Sequence, residues 1–378
     1  MIARLKLLSG LLLLCLIPAG CGTVSSSSSL PDLYITAKFV NNSGLNSGQI
    51  HVTLNGYDRS GNWGFFDLSQ EPAVFKVTNN IGDVPDVTLD TLVARGGVTV
   101  PYVSSGRIYL AVGQRIGAEV NDYNHPTCST STLYDKFELT VKETGNVVNL
   151  TQVDYFAFPL KLTSSSETRG FCDGVTRKQI FDAYAADTKL AGDWQKLVIK
   201  DSGGNNLRIL NPAKIADADK PLFGSLPTYW DTIIAQYWAA GNTVRVKSNE
   251  TPYPQLTGTA DGGKIDFGSS GIYGKPTSIQ MFGQEVAAGW DPKLVKWVSC
   301  AVNRGVIGNS NVNDQGDSGK FYSASGATYN RYAEFFHNAA YTISAEAYAL
   351  AFDDVFGFDS ALGIPNKGEV TIQLQAFQ

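Results

Sequence analysis

The chain has 378 residues and carries 30 Lys and Arg against 35 Asp and Glu, a formal net charge of −5. That balance argues against a nucleic-acid partner, because phosphate recognition needs a basic excess. With 43% hydrophobic and 17% charged residues, and 38 Gly, 19 Phe and 17 Tyr against 2 Met, the composition excludes a disordered chain and describes a turn-rich, aromatic β protein.

Arg4 and Lys6 precede an apolar run over residues 7–17, the length of a signal-peptide core and too short to span a bilayer. Ile17-Pro18-Ala19-Gly20-Cys21 follows and resembles the lipobox of bacterial lipoproteins, with Pro18 where an aliphatic residue is usual. Residues 1–21 are therefore expected to be a lipoprotein signal with Cys21 lipidated, and 22–31, including the serine run 25–29, a polar tether. The expected location is the bacterial cell envelope or its exterior, with the membrane reached only through the lipid. Cys128, Cys172 and Cys300 remain in the mature chain, which predicts one disulfide and one thiol, with three pairings open.

From residue 32 to about 162 the pattern is β. Runs over 33–40, 49–54, 98–103, 107–112, 137–141 and 155–162 are separated by Gly, Asn, Asp and Pro clusters. The pattern then changes. Thr176 is placed to cap a helix through Ile180, Phe181 and Tyr184, and Pro227 opens a second carrying Trp230, Ile234 and Trp238. Residues 244–246, 256–259 and 264–267 read as strands, the last two joined by Asp261-Gly262-Gly263. Asp291-Pro292 is a cap plus first-turn proline for a helix reaching Gly305. A final helix over 329–341 leads into a strand ending at Phe352, and 369–377 alternates as a strand able to rejoin the first sheet. The expected architecture is mainly β with α+β character. It comprises a β-sandwich or barrel domain (32–165), an inserted mixed α/β domain (166–343) and C-terminal strands returning to the β domain (344–378). A cleft between the lobes is the natural ligand site.

His51, His125 and His337 lie outside any nucleophile-elbow or metal-ligand pattern, and no G-x-S-x-G, H-E-x-x-H, Walker loop or strand-linked G-x-G-x-x-G occurs. Neither a metal nor an organic cofactor is expected, and His337, in helical phase with Tyr329 and Ala333, reads as structural. What the chain offers is acids beside aromatics: Tyr134-Asp135-Lys136-Phe137-Glu138-Leu139-Thr140, then Gln152-Val153-Asp154-Tyr155-Phe156-Ala157-Phe158-Pro159, with a turn at Glu143-Thr144-Gly145-Asn146 between them. A three-residue loop over 144–146 sets Glu138 opposite Gln152 and brings Asp154 to the same face as a diagonal neighbour, about 7–8 Å away. That falls within the roughly 6.5–9.5 Å used by inverting glycosidases to fit a water. A two-residue turn places the two carboxylates on opposite faces. Paired acids at a hairpin are also ordinary solvated edge residues, so spacing alone leaves the matter open.

Further blocks join these: Ser299-Cys300-Ala301-Val302-Asn303-Arg304, Tyr329-Asn330-Arg331-Tyr332-Ala333 and Tyr348-Ala349-Leu350-Ala351-Phe352-Asp353-Asp354-Val355. Together, in this order and with the aspartate sixteen residues after the glutamate, they resemble glycoside hydrolase family 64 from about residue 32 to the C-terminus. The resemblance implies an endo-acting β-1,3-glucanase with a thaumatin-like β domain and a mixed α/β domain flanking a wide cleft. It implies Glu138 as general acid, Asp154 as general base of an inverting mechanism, and short laminari-oligosaccharides as products. Glu138 would need a raised pKa, for which the charge of Asp154 or Asp353 and burial by Phe137 and Tyr155 are the expected causes. Asp353 and Asp354 match the family's paired acids, implying substrate positioning or tuning, and Thr140 matches a subsite hydroxyl. Lys142 stands where a polar amide is expected and Phe352 where tyrosine is more frequent. The implied partner is a β-1,3-glucan of the laminarin or curdlan type, bound by a monomer. Trp63, Trp230, Trp238, Trp290 and Trp297 are possible sugar-stacking residues, although helical spacing makes Trp230, Trp238 and Trp297 core residues first. The rival reading is a non-catalytic, thaumatin-like glucan-binding protein of the envelope.

Overall fold

Period-two alternation builds the first lobe. The computed structural model describes residues 30–117, 131–250, 254–323 and 326–378, and Pro31–Gln378 form one compact unit. Strand β1 (Tyr34–Asn41) buries Ile35, Ala37 and Phe39 and turns the intervening residues outward. There follow β2 (Ile50–Tyr57), β3 (Trp63–Asp67), β4 (Val74–Lys76), β5 (Val87–Thr88), β6 (Val98–Pro101), β7 (Val103–Val112), β8 (Leu133–Lys142) and β9 (Gly145–Leu150). After these come β10 (Tyr155–Phe156), β11 (Leu160–Thr163) and β12 (Thr168–Gly170).

The second lobe holds β13 (Val198–Lys200), β14 (Asn206–Leu210), β15 (Thr243–Lys247), β16 (Gln255–Ala260), β17 (Lys264–Asp266) and β18 (Ile272–Gly274). The chain ends in β19 (Ala361–Ile364) and β20 (Glu369–Leu374). An eight-stranded sheet runs β19-β9-β8-β7-β2-β3-β4, with β5 against β2, and a five-stranded sheet runs β12-β11-β20-β1-β6. Ile35, Val100, Leu162 and Ile372 from the second of these share one core with Leu54, Ile108, Phe137, Leu139 and Val148 from the first, which makes the lobe a sandwich. The expected return of the C-terminus is central to it: β20 lies parallel to β1 and antiparallel to β11, with Ile372 opposite both Phe39 and Leu162.

The second lobe has its own core, which includes Ile180, Phe181, Trp230, Trp238, Val244, Ile265 and Leu294. Thr176 caps the helix Arg177–Ala186 by a capping box, its hydroxyl accepting from Gln179 N at 3.1 Å while Gln179 Oε1 accepts from Thr176 N at 2.9 Å. Asp291 accepts from Lys293 N and Leu294 N at the start of the helix Pro292–Asn303. The hairpin at Asp261-Gly262-Gly263 forms as expected between β16 and β17. Arg208, on β14 and fully buried, ties the lobes together by lying 4.7 Å over the Tyr134 ring and donating to Thr132 O at 2.6 Å.

Four expectations change. Residues 155–162 are two strands rather than one: β10 pairs with β14 in the second lobe and β11 with β20 in the sandwich, divided at Pro159, which cannot donate to a ladder. The helix expected over 329–341 is Arg331–Phe336, because the Asn330 side chain caps Ala333 N and the chain turns at His337. No strand ends at Phe352; residues 347–355 make one bridge and then turns, and Ala347, Ala349, Leu350 and Val355 pack into the second core. The return to the sandwich therefore begins with β19 rather than at 344. Cys172 and Cys300 are free thiols in different surroundings, so the expected disulfide does not join them. Cys21 and Cys128 lie outside the described residues.

Because Ile372 is fully buried at the centre of the five-stranded sheet, Ile372→Ala is expected to cost about 2–5 kcal/mol. This should appear as a lower urea midpoint at unchanged m, whereas Val74→Ala on the exposed edge strand should move stability by less than about 0.5 kcal/mol.

Candidate active site

Strand β8 sorts its residues by parity. Phe137, Leu139 and Val141 enter the sandwich core, so Lys136, Glu138 and Thr140 stand on the outer face of the eight-stranded sheet. The hairpin closes through a two-residue turn, Glu143-Thr144, pairing Lys142 with Gly145 and Glu138 with Asn149 on one side and Arg107 on the other. The expected pairing of Glu138 with Gln152 is thereby corrected. The physical reason is burial: this register sets Leu139 against Val148 and Phe137 against Leu150, whereas a three-residue loop would put Leu150 beside Thr140 on the polar face.

Asp154 still reaches the same opening, because strand parity no longer applies to it. Strand β9 ends at Leu150, and Thr151 forms a parallel bridge with Tyr348. Gln152 N donates to Tyr348 O at 2.8 Å, Tyr332 Oη donates to Gln152 O at 2.7 Å, and Asn211 N donates to Asp154 O at 3.0 Å. Asn211 Nδ2 also donates to Ala349 O at 3.0 Å. The second lobe thus bends the chain so that Asp154 points back over the sheet.

Glu138 and Asp154 line one cleft of about 480 Å³ with Arg107, Asn149, Lys214, Tyr348, Asp354 and Asp359. An adjoining recess of about 190 Å³ adds Thr140 and Ser105 to Arg107, Glu138 and Asn149. The Glu138 side chain is one-third exposed; its Oε1 lies 3.3 Å from Arg107 Nε and 3.8 Å from Lys136 Nζ, and its Oε2 accepts from Asn149 Nδ2 at 3.5 Å. Asp154 is buried, with Oδ2 against Lys136 Nζ and Oδ1 2.9 Å from Lys214 Nζ. Burial pushes the Asp154 carboxyl up, but Lys136 and then Lys214 outweigh it and hold it down at about 2. The surroundings expected for Glu138 are not those observed: Phe137 points into the core, Tyr155 packs on Tyr134, and the groups at the Glu138 carboxylate are cations and an amide.

Asp354 lines the cleft and accepts from Tyr348 Oη at 3.3 Å. Asp353 does not line it. Fully buried, it takes Arg304 Nη2 and His337 Nε2 at 3.0 Å each and accepts from Ala349 N and Leu350 N at 2.7 Å. Burial raises its carboxyl, yet His337 and Arg304 keep it below the ordinary carboxylate range. The expected contact of Asp353 with substrate is corrected accordingly: it anchors the turn that presents Tyr348 and Asp354. His337, held by Asp353 and by Tyr322 Oη at 2.8 Å from its Nδ1, is structural. Trp230, Trp238 and Trp297 are core residues, and neither Trp63 nor Trp290 lines the cleft.

Sequence reasoning missed Arg107, Lys136, Asn149, Lys214 and Tyr348. Lys136 carried a readable signal, being two residues from Glu138 on the same strand and hence on the same face. The others arrive by strand register or from the second lobe, which spacing does not reveal.

The chain has similar counterparts among known proteins. The glucan endo-1,3-beta-glucosidases of Cellulosimicrobium cellulans and Arthrobacter sp. (strain YCWD3) are each 26% identical over 294 residues, covering 72% of this chain and 52% of theirs. The chain thus spans about half the length of these curated relatives. A beta-1,3-glucanase domain (GH64) from Clostridium beijerinckii has a TM-score of 0.70 at 18% identity, over 92% of this chain and 99% of that one. A laminaripentaose-producing beta-1,3-glucanase in complex with laminaritetraose has a TM-score of 0.68 at 20% identity, over 92% and 100%. These structures share the mainly β fold with helices. The model of glycoside hydrolase family 64, described as Beta-1,3-glucanase, matches residues 34–373, and the chain belongs to that family.

Proposed function

We propose that the protein is an endo-acting hydrolase of β-1,3-glucan that works with inversion and releases short laminari-oligosaccharides. The observation that carries this is the convergence of Glu138 and Asp154 on one cleft, where both touch Lys136. Family membership supports the substrate class: the relatives are named glucan endo-1,3-beta-glucosidases, and one solved neighbour holds laminaritetraose. Glu138, the more exposed acid, gives its proton to the glycosidic oxygen. A water attacks the anomeric carbon from the opposite face while Asp154 takes its proton, and the bonding pair leaves with the departing oxygen. Thr140, Tyr348 and Asp354 offer hydrogen bonds to sugar hydroxyls at the opening.

The family also supports reading the sandwich as a thaumatin-like lobe of a monomer beside a wide cleft. Residues 1–21 and Cys21 are read as a lipoprotein signal and its anchor, placing the protein in the envelope. One observation favours the rival binding-protein reading: both oxygens of Asp154 are engaged by ammonium groups, which makes it a weak base.

Product release from a linear β-1,3-glucan decides between them. Wild type should yield oligosaccharides, and Glu138→Gln and Asp154→Asn should each lose about 10²–10⁴-fold in kcat with binding retained. Binding without products in all three would establish the rival, and turnover surviving in Glu138→Gln would remove that residue as the acid.

Asp154 also sets an acid limit on stability. Its folded pKa of about 2 lies below the ordinary 3.8, so its stabilisation of about 2–3 kcal/mol is complete above about pH 5 and is lost as pH falls through 2. Unfolding measured against pH should show the stability gap between wild type and Asp154→Asn narrowing by that amount between about pH 5 and pH 1. For the anchor, Cys21→Ala should move the protein from the membrane pellet to the soluble fraction; unchanged pelleting would rule the anchor out.

A further inference from the structure

Lys214, Asp154, Lys136, Glu138 and Arg107 form a line of alternating charge drawn from both lobes. Lys214 Nζ lies 2.9 Å from Asp154 Oδ1, Lys136 Nζ touches Asp154 Oδ2 and lies 3.8 Å from Glu138 Oε1, and Arg107 Nε reaches that same Oε1 at 3.3 Å. The middle member is the unusual one. Lys136 has a side chain only 1% exposed, on a strand whose covered positions would be filled more stably by apolar groups of similar volume. Its ammonium stands there nonetheless, within 4 Å of both proposed catalytic carboxylates.

We propose that Lys136 is a positioning residue that couples acid to base, one fixed ammonium serving whichever carboxylate carries the negative charge. This rests on the reading of Glu138 as acid and Asp154 as base. In an inverting turnover Glu138 passes its proton to the glycosidic oxygen, which leaves with the C–O bonding pair, and Glu138 ends as carboxylate. The water oxygen bonds to the anomeric carbon, its proton goes to Asp154, and Asp154 ends neutral. The pair therefore carries one negative charge before and after, and only its place changes, from one side of Lys136 to the other. A cation within 4 Å of an oxygen of each keeps its attraction throughout, without the reorganisation that solvent would need. The outer members act one-sidedly: Lys214 touches Asp154 and favours the charge distribution before transfer, while Arg107 touches Glu138 and favours the one after.

The other titratable groups facing this line, among the described residues, are Tyr109 on β7, Tyr134 and Asp135 on β8 and Tyr332 on the helix Arg331–Phe336. Tyr348, Asp354 and Asp359 stand across the opening. Burial raises Tyr109, Tyr134, Tyr332 and Tyr348, so they stay neutral across the working range. Burial also pushes Asp135 up to about 7, and Lys136 is among the groups that lower it, so Lys136→Gln also moves Asp135. Lys214→Gln and Arg107→Gln leave Lys136 in place, and their differences from wild type report the line.

The test is the pH dependence of kcat and kcat/KM on a linear β-1,3-glucan. In Lys136→Gln, kcat should fall about tenfold or more with KM within about twofold, and both limbs of the bell should move to higher pH by about one unit, since each carboxylate loses a neighbouring cation. Lys136→Arg should recover most of kcat and return both limbs towards wild type. Lys214→Gln should raise the acid limb alone, and Arg107→Gln the alkaline limb alone. An active Lys136→Gln with both limbs unmoved overturns the coupling, as does a Lys214→Gln that moves both limbs together. If Lys136→Gln does not fold, the two one-sided variants still decide, because each must move one limb in the stated direction. Wild type without products would bring down the hydrolase reading and the coupling with it; wild type with products and unmoved limbs would bring down the coupling alone.

Discussion

The site depends on a buried ion pair at the junction of the two lobes. Lys136 is placed by strand alternation in the sandwich, and Asp154 by a bend that the second lobe enforces, so their contact joins two separately cored bodies at one point. Neither charge is tolerable there alone. Burial penalises each; removing Lys136 leaves Asp154 to Lys214, and removing Asp154 takes from Lys136 the carboxylate it touches most closely. Lys214 completes the arrangement from the second lobe by occupying the other oxygen of Asp154, which keeps that carboxylate ionised in spite of its burial. The geometry of the proposed chemistry is thus bound to the docking of the lobes.

A second buried network performs the matching task on the other wall. Asp353 gathers Arg304, His337 and two backbone N–H groups, with every contact inside the second core. The effect is to fold residues 347–354 into a tight turn instead of a strand, and that turn exposes Tyr348 and Asp354 to the cleft while its backbone bonds to Thr151 and Gln152 help hold Asp154. Two adjacent aspartates consequently have opposite fates. Asp353 is spent on shape, and Asp354 stands at the cleft. The Asn211 side chain connects this turn to the Lys214 segment, accepting from Ala213 N and donating to Ala349 O, so the cleft walls are cross-braced by amides rather than by long flexible side chains.

The balance of charge around the carboxylates bears on the chemistry. In the proposed turnover one carboxyl gives a proton and the other takes one, so the pair keeps a constant total charge, and a rigid set of cations suits that requirement better than mobile water. Strands and a short buried turn supply the rigidity. In the proposed mechanism Glu138 meets a leaving group arriving from solvent and Asp154 meets a water, which matches their difference in exposure.

Much of this was legible without coordinates. The parity of β8, the helix caps at Thr176 and Asp291, the closing strand and the ordered motifs follow from local periodicity and side-chain chemistry, which a sequence expresses directly. Thr140 shared a face with Glu138 for the same reason, and Lys136 could have been found by it. The hairpin register was also within reach, since only the two-residue turn pairs Phe137 and Leu139 with apolar partners. What tertiary structure alone decided is where the chain goes once it leaves a ladder. The bend at Asp154 and the arrival of Lys214 are set by contacts between residues far apart in the chain, such as Tyr332 to Gln152, 180 positions apart, and Asn211 to Ala349, 138 apart, and Asp353 is drawn inward by Arg304, 49 positions away. Periodicity carries no information about such partners, because they are selected by the packing of two cores and not by neighbours along the chain.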